Sequence, residues 1–212
     1  MNAIEVENLT QKFREAVVLD NVNVTFESGK VHGLIGRNGS GKTMLMKCIC
    51  GIVPYTSGEI RVNGRVIGRD IDIPENVGVI IETPGFLPNY SALENLRFLA
   101  KINNRITKED IEYAISSVGL NPDDKKHVGK YSLGMRQRLG LAQAIMENPD
   151  ILILDEPMNG LDKEGVADMR KYLLNLKGQG KTILIASHSA EDIDVLCDTV
   201  YEMDKGKLEK IR

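Results

Sequence analysis

The sequence predicts an α/β fold with a mixed, mainly parallel sheet, and three observations carry that expectation. Strand-like apolar runs alternate with helical patterns along most of the chain. One run, Val31-His32-Gly33-Leu34-Ile35, leads through a glycine-rich turn into the helical pattern Met44–Ile49. Another, Ile151–Leu154, is four apolar residues long and ends in two carboxylates, Asp155 and Glu156. A short apolar run of this kind fits a strand buried on both faces.

The chain begins with two strands, Asn2–Val6 and Val17–Phe26, expected to form an antiparallel flap. Val22, Val24 and Phe26 alternate with Asn23 and Thr25, which suits a sheet with one wet face. Glu27–Lys30 is a turn before the strand at Val31. Ser57-Gly58 opens the strand Glu59–Val62, and Asn63-Gly64 is a hairpin signal. Asn76–Ile81 is a further strand, ending at Glu82. The character then changes, and residues 83–148 read as an inserted helical subdomain. Its helices run from a capping box at Ser91–Glu94 to about Ile102, from about Lys108 to Val118, and from Ser132 to Met146. After Asn148-Pro149 come the strand Ile151–Leu154, a helix Lys163–Leu176, a strand Thr182–Ala186, a short helix Glu191–Leu196 and a last strand Thr199–Met203. The expected organisation is one domain over 1–212, with a core of about 1–82 and 149–212.

Composition narrows the function classes. The chain has 212 residues, 42% hydrophobic and 27% charged, with a net charge of −3. No basic stripe marks a nucleic-acid surface, and no apolar run approaches a membrane span. Met1–Glu7 lacks the basic start and apolar core of a secretion signal. Cys48 and Cys50, two of three cysteines, are two apart on a helix and point in different directions, so they do not form a metal pair. Free thiols in a reducing compartment are expected.

Residues 36–43, Gly-Arg-Asn-Gly-Ser-Gly-Lys-Thr, match the phosphate-binding pattern G-x-x-x-x-G-K-[ST]. Gly36, Gly39 and Gly41 let the backbone curl so that successive N–H groups, with those of Arg37, Asn38 and Ser40, surround an anion. Lys42 is expected to reach the β- and γ-phosphates and the Thr43 hydroxyl to hold Mg²⁺. The helix carrying Met44 adds its positive end. Strand, loop and helix are the setting this motif needs. Asp155 is expected in the Mg²⁺ shell, and Glu156, one residue on, beside the attacking water.

With Tyr131-Ser132-Leu133-Gly134-Met135, Asn159-Gly160-Leu161-Asp162 and Ser187-His188 added, the chain resembles an ATP-binding-cassette (ABC) ATPase over essentially its whole length. The resemblance implies two cassettes, identical or related, paired head to tail with ATP between them. Ser132 and the Gly134 N–H would then reach the partner's γ-phosphate, and Asp162 would cross to organise the opposite site. His188 would align the water, and Phe13 would stack on adenine unless it is simply core. A separate integral membrane permease would complete the transporter, leaving this chain peripheral on the cytoplasmic face of the membrane and soluble in isolation.

Three positions depart from the family pattern. Glu82 stands where Gln is usual, offering an oxygen to Mg²⁺ or to the water but adding negative charge. Its neighbourhood, Ile80–Pro88 followed by Glu94-Asn95-Leu96, resembles exporters that protect bacteria against bacitracin- or lantibiotic-type peptides. Leu133 and Met135 replace Gly and Gln of LSGGQ. Alternatives from other classes are a non-catalytic ATP-dependent assembly switch and a small-molecule kinase with the helical block as lid. A DNA-repair ATPase would need a long heptad insertion that residues 83–148 lack. Thr107-Lys108-Glu109-Asp110 fits a guanine-reading pattern but lies where a helix N-cap belongs.

Overall fold

The computed structural model describes all 212 residues, Met1–Arg212. Two sheets form. The first is four-stranded and antiparallel, in the order β2 (Ala16–Glu27), β1 (Asn2–Phe13), β4 (Ser57–Val62), β5 (Arg65–Val66). The second has six strands, in the order β10 (Lys207–Lys210), β9 (Thr199–Asp204), β3 (Val31–Ile35), β8 (Thr182–Ala186), β7 (Ile151–Asp155), β6 (Val77–Ile80). Its strands from β9 to β6 are parallel, and β10 pairs antiparallel with β9.

The flap strands are longer than expected, β1 and β2 each running 12 residues. Register shifts along β1 let a strand of mixed polarity continue past Val6 to Phe13. The strand at Thr199 is not the last one. Lys205 and Gly206 both take positive φ, 46° and 81°, and turn the chain back into β10. The same two-residue geometry at Asn63 and Gly64, φ 50° and 77°, joins β4 to β5.

Six helices complete the fold: α1 (Lys42–Ile49), α2 (Ala92–Asn103), α3 (Lys108–Ser117), α4 (Leu133–Ile145), α5 (Lys163–Gly178) and α6 (Ala190–Leu196). Ser91 and Thr107 open α2 and α3 with full capping boxes, so Thr107–Asp110 is a helix start. Alternate residues of the parallel strands feed two cores. Leu152, Leu154, Ile183 and Ile185 pack with α2, α3, α4 and α5, while Ile151, Ile153, Leu184 and Ala186 pack with α1 and the flap. The helices between β6 and β7 therefore share a core with one face of the sheet. Gly78 of β6 allows that close approach, since a Cβ there would lie 2.0 Å from the Ala144 carbonyl oxygen of α4.

Candidate nucleotide site

The C-terminal ends of β3 and β7 lie in the same sheet, separated only by β8. Their loops deliver the expected groups to one edge. After β3 the chain makes its tight turn at Gly36, φ 140°, where a Cβ would meet the Met203 carbonyl at 2.2 Å. Only glycine fits there. Gly41, also left-handed, precedes α1, whose first turn contains Lys42 and Thr43.

Lys42 is buried, and its ammonium donates to the carbonyls of Gly36 at 2.7 Å and Arg37 at 3.2 Å. Burial lowers its pKa, while the nearby carboxylates of Glu156 and Asp155 oppose the shift. Ser40 is buried and its hydroxyl finds no partner within the chain. An orphaned hydroxyl inside a curl of backbone amides is what a phosphate oxygen would satisfy. Thr43 donates its hydroxyl to Asp155 Oδ2 at 2.7 Å, so two of the three expected Mg²⁺ residues are adjacent, while the third, Glu82, has its carboxylate on Lys47. No cluster of three or more His, Cys, Asp or Glu forms. A hydroxyl and a single carboxylate suit Mg²⁺ held jointly with phosphates and water.

Glu156 follows β7 in the left-handed region, φ 51°. Its N–H donates to Ala186 O at 3.0 Å, and its carbonyl accepts from Asn159 N at 3.1 Å and from the Gln137 amide at 3.2 Å. Oε1 lies 3.2 Å from His188 Nε2 without hydrogen-bond geometry. Burial raises the Glu156 pKa. His188 and Lys42 pull it down, and Asp155 pushes it up. A carboxylate with weakened solvation is a better proton acceptor at neutral pH. Glu156, His188, Ser187 and Asn38 line one open cleft of about 980 Å³.

The other expected residues take distinct positions. Glu82 lies after β6, φ 61°, with its carboxylate 2.6 Å from Lys47 Nζ, one turn beyond Thr43 on α1. Lys47 thus offsets the negative charge that a Gln would not bring. Phe13 is 48% exposed, so it is not core. Ser132 caps α4, accepting from Met135 N at 3.2 Å, and Asp162 caps α5, accepting from Gly165 N at 2.8 Å. Ser132, Gly134 and Asp162 do not line the cleft of Glu156 and His188. Leu133, 54% exposed, leans over Gly160, where a Cβ would meet its Cδ2 at 2.4 Å.

Sequence reasoning missed three groups. Lys47 is one. Asp192 is another, buried between Arg170 Nε at 2.8 Å and Ser187 Oγ at 3.0 Å, which steadies the residue before His188. Gln137 is the third. Its only signal was a polar residue sharing a helix face with Leu141 and Ala144.

This is the fold and site of a nucleotide-hydrolysing P-loop domain, and comparison with known proteins gives the family. The ABC transporter family profile matches residues 19–159, and the chain belongs to that family as an ATP-binding, ATP-hydrolysing subunit. It is 50% identical over 206 residues to the ABC transporter ATP-binding protein YybJ of Bacillus subtilis strain 168, covering 97% of this chain and 94% of that protein. It is 43% identical over 207 residues to the bacitracin transport ATP-binding protein BcrA of Enterococcus faecalis, covering 97% and 67%. Among solved structures, the dimeric bacterial cassette MJ0796 superposes with a TM-score of 0.88 at 21% identity over 99% of each chain. The cbiO1 subunit of Clostridium perfringens gives 0.84 at 27% identity, over 98% of this chain and 87% of that one.

Proposed function

We propose that the chain drives an exporter by hydrolysing Mg·ATP at the shared edge of β3 and β7, with two cassettes, a second copy or a related chain, closing on the nucleotide. The observation that carries this is the convergence of the buried Lys42, the Thr43–Asp155 pair at 2.7 Å, and Glu156 beside His188. Amides of residues 36–43 and the Lys42 ammonium hold the charge that spreads over the transferring phosphoryl group. Thr43 and Asp155 would hold Mg²⁺, which supplies charge neutralisation at the phosphate oxygens. Glu156 orients the attacking water and takes its proton, and His188 steadies that carboxylate. Phe13, exposed on β1, offers its ring to adenine. Ser132, Gly134 and Asp162 serve the partner cassette's nucleotide; Ser132 caps α4, whose positive end would then meet that phosphate.

The Glu156→Gln variant tests the assignment. It should keep ATP binding, lose hydrolysis by about 10²-fold or more, and accumulate as an ATP-loaded dimer in light scattering. Hydrolysis at the wild-type rate would remove Glu156 from the role.

The membrane partner is a polytopic permease. No helix here is long and apolar enough to cross a membrane. Leu87, Tyr90 and Phe98 are exposed beyond Glu82, Tyr90 and Phe98 meeting edge to face at 5.1 Å. That apolar surface suits a permease loop and would hold the chain on the cytoplasmic face. Relatives named for bacitracin and lantibiotic transport support an antimicrobial peptide as cargo. Deleting the protein should lower tolerance to such peptides; unchanged tolerance would discard that cargo.

A further inference from the structure

Glu156 adopts a backbone conformation that a residue with a Cβ rarely takes, φ 51°. Such a conformation persists where surrounding contacts impose it. Asn159 N–H closes the local turn onto the Glu156 carbonyl, and Ala186 receives the Glu156 N–H. The remaining contact comes from outside the loop. Gln137, on α4, is 7% exposed, and its Nε2 donates to the same carbonyl at 3.2 Å. No other side-chain hydrogen bond is made to the Glu156 main chain. Two neighbours keep α4 close enough for this. Gly134 approaches the Gly160 carbonyl, where a Cβ would lie 3.0 Å away, and Leu133 covers Gly160 itself.

We propose that Gln137 is a positioning residue for hydrolysis: its amide fixes the Glu156 carbonyl and so keeps the carboxylate of Glu156 facing His188 and the cleft. This rests on Glu156 being the proton acceptor. Gln137 does not line the cleft of Glu156 and His188, so it acts through the Glu156 main chain. It acts from the helix that Ser132 caps, so the end of α4 offered to the partner cassette and the residue that steers the chain's own base are five positions apart on one rigid element.

The test compares wild type, Gln137→Met, Gln137→Glu and Glu156→Gln in steady-state phosphate release across ATP concentration and pH. Gln137→Met removes the donor at similar volume. It should lower kcat tenfold or more while leaving KM within about twofold. Gln137→Glu is equally low at high pH, where an ionised carboxylate repels the carbonyl. It regains rate relative to wild type as the pH falls and the introduced carboxyl takes a proton that it can donate. Relief of a buried charge alone would bring Gln137→Glu back only to the Gln137→Met level, so a rise above Gln137→Met marks the restored donor. A kcat for Gln137→Met within twofold of wild type, or a Gln137→Glu rate that does not rise above Gln137→Met at any pH, overturns the proposal. Glu156→Gln separates the two failures. If it is inactive while the Gln137 variants are normal, only the positioning role falls. If it hydrolyses normally, the assignment of Glu156 falls and the positioning role with it.

Discussion

A carboxylate that must take a proton from water near neutral pH works better when it is poorly solvated, and the burial of Glu156 suits the role proposed for it. Burial is the main cause of its raised pKa, with His188 and Lys42 limiting the rise. A raised acid pKa means folding favours the protonated form, so that stabilisation is complete below the unfolded value of 4.5 and lost as pH rises through the folded value. At neutral pH the ionised group therefore burdens the fold. Glu156→Gln should raise Tm near pH 7–8 in EDTA, with the gain shrinking towards acid; scanning fluorimetry across pH checks it, and a gain that grew towards acid would contradict the assignment. The place of this residue was plain in the sequence, two acids ending an apolar strand downstream of a phosphate loop. Its left-handed backbone and its tie to Gln137 were not, since that bond spans 19 residues of sequence and no local pattern encodes it.

Between elements, α5 and α6 are joined through an ion pair between the half-buried Arg170 and the buried Asp192. Arg170 of α5 meets Asp192 of α6 with Nε at 2.8 Å and Nη2 at 2.5 Å, and Asp192 also accepts from Ser187. Removing Asp192 takes away charge-assisted hydrogen bonds while Arg170 keeps Glu191 at 2.7 Å, a cost of about 2 kcal/mol. Asp192→Ala should shift urea unfolding by that order and lower kcat as well, because Ser187 precedes His188. Stability loss with kcat unchanged would show that the pair only staples the helices. Most elements were legible from alternation and capping residues. The exceptions have physical reasons. β10 is a charged strand, Lys-Leu-Glu-Lys, that lacks an apolar period of its own and exists by pairing with β9. The length of β1 comes from bulges, which break the alternation that sequence reasoning depends on.

Across the whole molecule, the nucleotide edge sits between two cores joined through the same sheet. The helices between β6 and β7 belong to one of those cores, so unfolding should be a single cooperative transition even though the sequence marks them as an insertion. Ligand should stabilise that whole unit. At 100 times its Kd, Mg·ATP is expected to add about 2.7 kcal/mol, and EDTA should remove part of the gain. A transition that split in two, with only one half responding to nucleotide, would show that the helical block folds separately.

The hairpin at Lys205-Gly206 has a consequence for how copies meet. It finishes the six-stranded sheet with exposed Lys207, Glu209 and Lys210. A neighbour adding its own strand there would have to strip water from those charges. Lateral fusion of sheets into larger ribbons is thereby discouraged, which leaves other surfaces free for the ATP-bridged, reversible pairing of cassettes proposed above.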